Sequence, residues 1–111
     1  MEARAVAKYV RISPRKARLI ADAMQGRRGE EALGMLKLSP TPTARAVAKV
    51  IKSAAANAEN NFQMLPSELR VIRVFVDQGP TLKRARPQAR GRVSPILRRS
   101  SHITAVVGEE D

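Results

Sequence analysis

Two β-rich segments enclose a stretch that a compact fold cannot easily absorb. Leu69 to Asp77 reads LRVIRVFVD and His102 to Val107 reads HITAVV, both rich in the β-branched and aromatic side chains that suit a pleated, half-buried surface. The 24 residues between them, 78–101, are long for a connection within a small domain and need a structure of their own. Two strands that simply run on into a protruding hairpin supply one. From Asp77 to a turn near Gln88 such an arm reaches roughly 35 Å, at about 3.3 Å per residue. Arg86-Pro87 and Arg90-Gly91 carry turn chemistry near its end.

The charge of this stretch is as telling as its length. From Gln78 to Gly108 there is no Asp or Glu, while Lys83, Arg84, Arg86, Arg90, Arg92, Arg98 and Arg99 all fall inside it. In a free tail such a run reads as a solvated face. Here both of its ends are held by strands, which favours phosphate binding. Arginine outnumbers lysine six to one, and guanidinium forms paired contacts to phosphate and stacks on bases where lysine acts as a point charge. Aromatic side chains do not interleave with these cations, so recognition by shape and backbone is favoured over reading of splayed bases. Tyr9 and Phe75 are read as packing residues.

The whole chain bears a formal charge of +11, from 21 Lys and Arg against 10 Asp and Glu. That self-repulsion calls for a polyanionic partner. A spanning helix is excluded, since no apolar run approaches the ~20 residues it needs, and the first residues lack the apolar stretch of a signal peptide. Cysteine is absent and His102 is the one histidine, which rules out a disulfide framework and a zinc site; no cofactor is expected. Cytosolic residence fits this composition. At 111 residues and 12.2 kDa the chain is expected to be a single domain, 1–111, with the hairpin over about 78–101. Aromatics make up 3%, so its core must be built from Ala, Val, Ile, Leu and Met.

Ahead of the arm, Ala3 to Ile12 alternates as a strand, with Val6, Lys8, Val10 and Ile12 on one side and Ala5, Ala7, Tyr9 and Arg11 on the other. Ser13-Pro14 offers an N-cap and a proline at the first helical position. Ala17, Ile20, Ala21 and Met24 then recur at helical spacing until Gly26 offers a left-handed stop, predicting a helix over about 14–25. A shorter helix is predicted over 30–38, with acids in its first turn and Gly34 weakening it. A long helix is predicted from about Thr43 to Phe62, with Ala44, Val47, Ile51, Ala54 or Ala55, Ala58 and Phe62 as its apolar stripe and Arg45, Lys49 and Lys52 on its other face.

A second cationic group, Arg11, Ser13, Arg15, Lys16 and Arg18, sits at the first strand-to-helix junction. A helix start flanked by cations suits an anion, and these residues point away from the apolar stripe. Asn57, Asn60 and Asn61, near the end of the long helix, are read as capping and termination. Catalysis has little to stand on. Carboxylates are scattered, no GxxxxGK[ST] loop is present, and Ser100, Ser101 and His102 are neighbours in sequence rather than an arranged set.

RISPRKARLI near the start, SAAANAENN in the long helix, VDQGPTLKRARPQARGR in the arm and RRSSHITAVVG at the end together resemble the bacterial large-subunit ribosomal protein twenty-two family, in order and spacing over nearly the whole chain. The resemblance implies an α+β fold, three helices packed on a small three-stranded antiparallel sheet with a long protruding β-hairpin. It also implies a structural constituent of the large ribosomal subunit, in the cytoplasm, that binds large-subunit (23S) rRNA during assembly and joins several rRNA domains. Its other implied partners are neighbouring large-subunit proteins and the nascent peptide; neither a membrane nor a homo-oligomer is expected.

Carried over by position, the rRNA-binding set is Arg11, Ser13, Arg15, Lys16, Arg18, Lys83, Arg84, Arg86, Arg90, Arg92, Arg98, Arg99 and His102. The exit-tunnel tip is Pro87, Gln88, Ala89, Arg90, Gly91 and Arg92, close to where macrolides act in the family. Gln88, Phe62 and Ser100 depart from the family's usual basic residue, histidine and threonine, and Pro95 implies a bulge or an edge position in the returning strand. Two other classes remain open on residues alone. A free-standing nucleic-acid regulator would show a dimer and a reading helix. An RNA-processing enzyme would need a cleft with a paired acid and base.

Overall fold

The computed structural model describes residues 2–39, 41–79, 82–87, 93–98 and 100–109, with 82–87 and 93–98 described in their backbone pairing. The elements run β1 (Glu2–Val10), α1 (Pro14–Met24), α2 (Gly29–Lys37), α3 (Pro42–Phe62), a 3₁₀ turn (Pro66–Glu68), β2 (Leu69–Gln78), β3 (Leu82–Pro87), β4 (Val93–Arg98) and β5 (Ser101–Glu109). β1, β5 and β2 form an antiparallel sheet in that order, and β3 and β4 form a separate two-stranded antiparallel ribbon. The α+β architecture implied by the resemblance is the observed one.

All three helices serve one core. α3 lies against β1 and β5, α1 packs between α3 and β2, and α2 closes over α3. The side chains between these layers are small: Ala17, Ala32, Ala44, Ala54, Ala58 and Ala105 are fully buried beside Val47, Ile51, Val71, Ile103 and Val107. Alanine at the contacts lets helix and sheet approach closely, and this explains how a chain so poor in aromatics builds a continuous core. α1 buries Pro14, Ala17, Ala21 and Met24, nearly the predicted stripe.

Helix boundaries follow local chemistry. Thr41 caps α3, its Oγ1 accepting from the Ala44 amide at 3.2 Å, with Pro42 at the first helical position. Ser13 occupies the N-cap position of α1 but makes no side-chain cap bond, in contrast to the sequence expectation; the junction is held instead by Pro14 and by the Ala17 amide donating to the Ser13 carbonyl at 3.1 Å. α2 runs through Gly34, which is exposed and has open space where a Cβ would stand. Gly34→Ala is therefore expected to stabilise the protein by about 0.5–1 kcal/mol, read as a higher midpoint in urea with an unchanged slope.

α3 departs from its predicted stripe at the end. Phe62 is 46% exposed and Met64 takes the buried position at 2%. Gln63 adopts a left-handed conformation, φ 55°, and the Met64 amide donates to the Ala58 carbonyl at 3.1 Å. The chain thus folds back before Phe62 can reach the core. The asparagines do not terminate the helix. Asn57 Nδ2 donates to the Arg4 carbonyl at 3.0 Å, tying α3 to β1, while Asn60 and Asn61 are exposed.

Two single-residue insertions set the faces of the sheet. Ala7 pairs Ile103 but Val10 pairs Ser101, so β1 carries one extra residue, and Tyr9 sits there with φ 58°. Ala3, Ala5 and Ala7 face the helices before this bulge, and Val10 and Ile12 face them after it. The predicted grouping of Val6 with Val10 and Ile12 is thereby split, and Val6 is exposed. On β2, Val71 pairs Val107 and Arg73 pairs Val106, which leaves Ile72 as the inserted residue. The outer edge of β2 is closed by the α1–α2 connection: the Gly26 amide donates to the Val71 carbonyl at 2.7 Å and the Val71 amide to the Arg27 carbonyl at 2.8 Å. Gly26 has φ 81°, the conformation a glycine adopts without strain.

The hairpin is present, though its strands do not simply continue those of the sheet. Gln78 pairs Ser101, and the Gly79 amide donates to the Ser100 carbonyl at 3.0 Å; beyond them Leu82 pairs Arg98, one position out of that register. Glycine allows the close approach at this root: a Cβ at Gly79 would come within 2.5 Å of Ser100 Oγ, which would have to turn, and 3.2 Å of the His102 ring. The ribbon keeps its register from Leu82↔Arg98 to Pro87↔Val93, Ala85↔Pro95 included. Pro95 therefore causes no bulge and is accommodated on the edge that each strand of a two-stranded ribbon presents. The radius of gyration is 17.0 Å and the longest extent 63 Å, against about 13 Å for the radius of a compact chain of this size.

Candidate nucleic-acid interface

The fold brings the two cationic groups to one end of the sheet. Val10 and Gln78 both pair Ser101, so the β1–α1 junction lies beside the root of the ribbon. Ser101 joins them further: it is fully buried, and its Oγ donates to the Ile12 carbonyl at 2.6 Å. Arg11, Arg15 and Lys16 are exposed at this junction and Ser13 is half-buried. Arg18 is also exposed, and its Nε donates to the Val76 carbonyl at 3.0 Å, which anchors α1 to β2 and uses one of its five N–H donors within the protein.

Of the predicted arm residues, Lys83, Arg84, Arg86 and Pro87 lie on β3 and Arg98 on β4. The last ribbon pair is Pro87↔Val93. Gln88, Ala89, Arg90, Gly91 and Arg92, the core of the predicted tip, lie outside the described residues, as does Arg99.

His102 is half-buried on β5, opposite Asp77 of β2. Its Nδ1 accepts from the Tyr9 amide at 3.1 Å, and the Tyr9 and His102 rings meet edge to face with centroids 4.9 Å apart. An Nδ1 that accepts leaves the ring hydrogen on Nε2, available as a donor. The neighbouring Ser101 hydroxyl is turned away from this ring, to the Ile12 carbonyl. Tyr9 and Phe75 are not packing residues, contrary to the sequence reading. Tyr9 is 65% and Phe75 36% exposed, and the Arg73 guanidinium lies 4.8 Å from the Phe75 ring centroid. The bulge at Tyr9 turns that ring outward and is concealed by a strict period of two, whereas Phe75 could have been placed outward by its alternation with buried Val74 and Val76.

Among the described residues no group of His, Asp, Glu or Cys could hold a metal ion, and no helix is long and apolar enough to cross a membrane. What remains is a cationic surface, arginine-rich and on rigid elements, with a two-stranded arm rooted in its middle. Fold and charge together define a polyanion-binding α+β protein that carries an arm.

Comparison with known proteins places this chain within that class. The family described as ribosomal protein L22p/L17e matches residues 5–108. The large ribosomal subunit protein uL22 of Desulforamulus reducens is 56% identical over 110 residues, covering 99% of this chain and 97% of its own length. That of Dehalococcoides mccartyi is 55% identical over 109 residues, covering 98% and 100%. The chain belongs to the ribosomal protein L22p/L17e family. It is thus a structural constituent of the ribosome and not an enzyme.

Proposed function

We propose that the chain is assembled into the large subunit of the cytoplasmic ribosome, where it binds 23S rRNA and neighbouring proteins as one domain, 1–111, and cements separate rRNA segments. The observation that carries this reading is the convergence of Arg11, Arg15 and Lys16 with the root of the ribbon at a single end of the sheet. Two groups of cationic side chains on separate elements can hold two RNA segments at once. Neutralising phosphates there releases counterions.

Within this reading the arm divides by function. Lys83, Arg84, Arg86, Arg98 and Arg99 form a stem that holds rRNA, Ser13, Arg18 and His102 contribute at the root, and Pro87 to Arg92 form a tip on the wall of the nascent-peptide tunnel. A two-stranded ribbon is marginal by itself in water, so RNA completes its ordering.

The test compares two double variants in assembling cells. Arg90→Ala with Arg92→Ala is expected to change macrolide response or peptide passage while large-subunit yield stays near normal. Arg15→Ala with Lys16→Ala is expected to lower subunit yield and leave macrolide response unaltered. Loss of assembly in the first variant would make Arg90 and Arg92 stem contacts and overturn the tip assignment. A protein that fails to co-sediment with large subunits through high salt would overturn the ribosomal placement itself.

A further inference from the structure

The face of the β1–β5–β2 sheet opposite the helices is basic and aromatic. The register orders it in rows. Arg4, Val106 and Arg73 lie side by side, then Val6, Thr104 and Phe75, then His102 beside Asp77, with Lys8 next along β1. Arg4, Val6, Lys8, Arg73 and Phe75 are exposed. The chain has only three aromatic residues of the Phe, Tyr and Trp kind, and two of them, Tyr9 and Phe75, stand on this surface. Asp77 is the one acid among the residues named.

Each aromatic is held in place by a polar contact. The bulge fixes Tyr9 through its amide bond to His102 Nδ1, and the ring stands 65% exposed with its edge braced on the imidazole. Arg73 lies over Phe75, which makes a two-tiered plane whose upper tier is a guanidinium. Tyr9 and Phe75 belong to the two outer strands, Phe75 level with Thr104 and Tyr9 with His102 two positions along, so two strand spacings and that offset separate them by roughly 12 Å. Two or three nucleotides of single-stranded RNA bridge that gap. Paired bases cannot use such a surface, because their faces are already stacked inside a helix. Unpaired bases can stack on aromatic rings and guanidinium planes.

We propose that this sheet face binds an unpaired RNA segment of two or three nucleotides, with one base on Tyr9, another on the Arg73–Phe75 pair, and phosphates on Arg4 and Lys8. The site differs in chemistry from the phosphate-binding end of the sheet and rests on the reading that the chain binds rRNA. It supplies selectivity for single strands that the arginines of the arm lack.

Tyr9 is the only tyrosine and there is no tryptophan, so intrinsic fluorescence reports directly on the site. The full chain is titrated with a uridine pentamer and, separately, with a short blunt RNA duplex. The pentamer is expected to quench Tyr9 emission, and the duplex to bind without quenching. Tyr9→Ala with Phe75→Ala, read by anisotropy of end-labelled RNA because no tyrosine remains, should weaken the pentamer at least tenfold, leave the duplex within twofold, and keep the salt slope unchanged. Tyr9→Phe with Phe75→Tyr should restore the pentamer. Should the double alanine variant melt early, Val6→Glu decides, since it sets a negative charge at an exposed position in the row of Phe75, across Thr104 and between Arg4 and Lys8, and should weaken the pentamer alone.

Saturation without quenching, equal quenching by duplex or polyphosphate, or full pentamer affinity in Val6→Glu would each overturn the site. If the wild-type chain bound neither RNA, the rRNA-binding reading would fall first, a result distinct from duplex binding without pentamer binding.

Discussion

Replacing Arg11, Arg15 and Lys16 together by alanine is expected to weaken binding to an rRNA fragment on the order of 100- to 1000-fold at about 0.1 M salt, and to flatten the dependence of log K on log salt by roughly 2 to 3. The reason is geometric as well as electrostatic. All three side chains are exposed and make no ion pair among the described residues, which leaves them open to phosphate. Each contact to a phosphate releases about one counterion, and each such release counts for close to a factor of ten at that salt. Arg18 is left out because its Nε already serves the Val76 carbonyl, and its removal would mix a packing defect with a binding one. Filter binding or anisotropy across a salt series checks the result. An unchanged slope with weaker binding would mean that these residues position the protein without touching phosphate.

The same residues show what the sequence makes legible. Arg15, Lys16 and Arg18 could be placed on the outer face of α1 because Ala17, Ala21 and Met24 mark its inner face at helical spacing, and the structure buries those three. The arm could be foreseen because two β-branched segments bracket a stretch too long for a loop. That α1 and the arm root meet was not legible. It depends on Val10 and Gln78 sharing Ser101 as partner, and on a hydroxyl bonding a carbonyl 89 residues away. Asn57 likewise bonds Arg4, 53 residues distant, and local propensity assigns it to helix termination instead. Such contacts belong to tertiary structure and leave no periodic trace.

Bulges account for the remaining differences. A single inserted residue reverses the inward and outward positions of everything that follows it, and period-two reading carries the wrong phase through. Tyr9 is the inserted residue in β1 and Ile72 in β2. Both are exposed, and period-two reading turns Tyr9 inward and groups exposed Val6 with side chains that face the core. The sequence does contain the β-strands and their order. It does not mark where one strand gains a residue over its neighbour, because any residue type that tolerates a brief left-handed or twisted backbone can sit there.

The end of α3 turns this lesson into an expected result on stability. Ile51→Ala should destabilise the free protein by about 2–5 kcal/mol, a large share of the roughly 5–15 kcal/mol that holds a domain of this size together. Ile51 is 0% exposed and is among the largest fully buried side chains, in a core otherwise dominated by alanine and valine. Alanines already sit at their minimum volume, so the neighbours of Ile51 have little with which to refill the cavity. The melting temperature should fall by roughly 10–20 °C. At the helix end the ranking opposes the apolar stripe: Met64→Ala should cost several times more than Phe62→Ala, because Met64 is 2% and Phe62 46% exposed. Urea denaturation of the three variants decides the point. A Phe62 substitution as damaging as that of Met64 would mean that α3 continues its stripe into the core and that the left-handed turn at Gln63 does not form in solution.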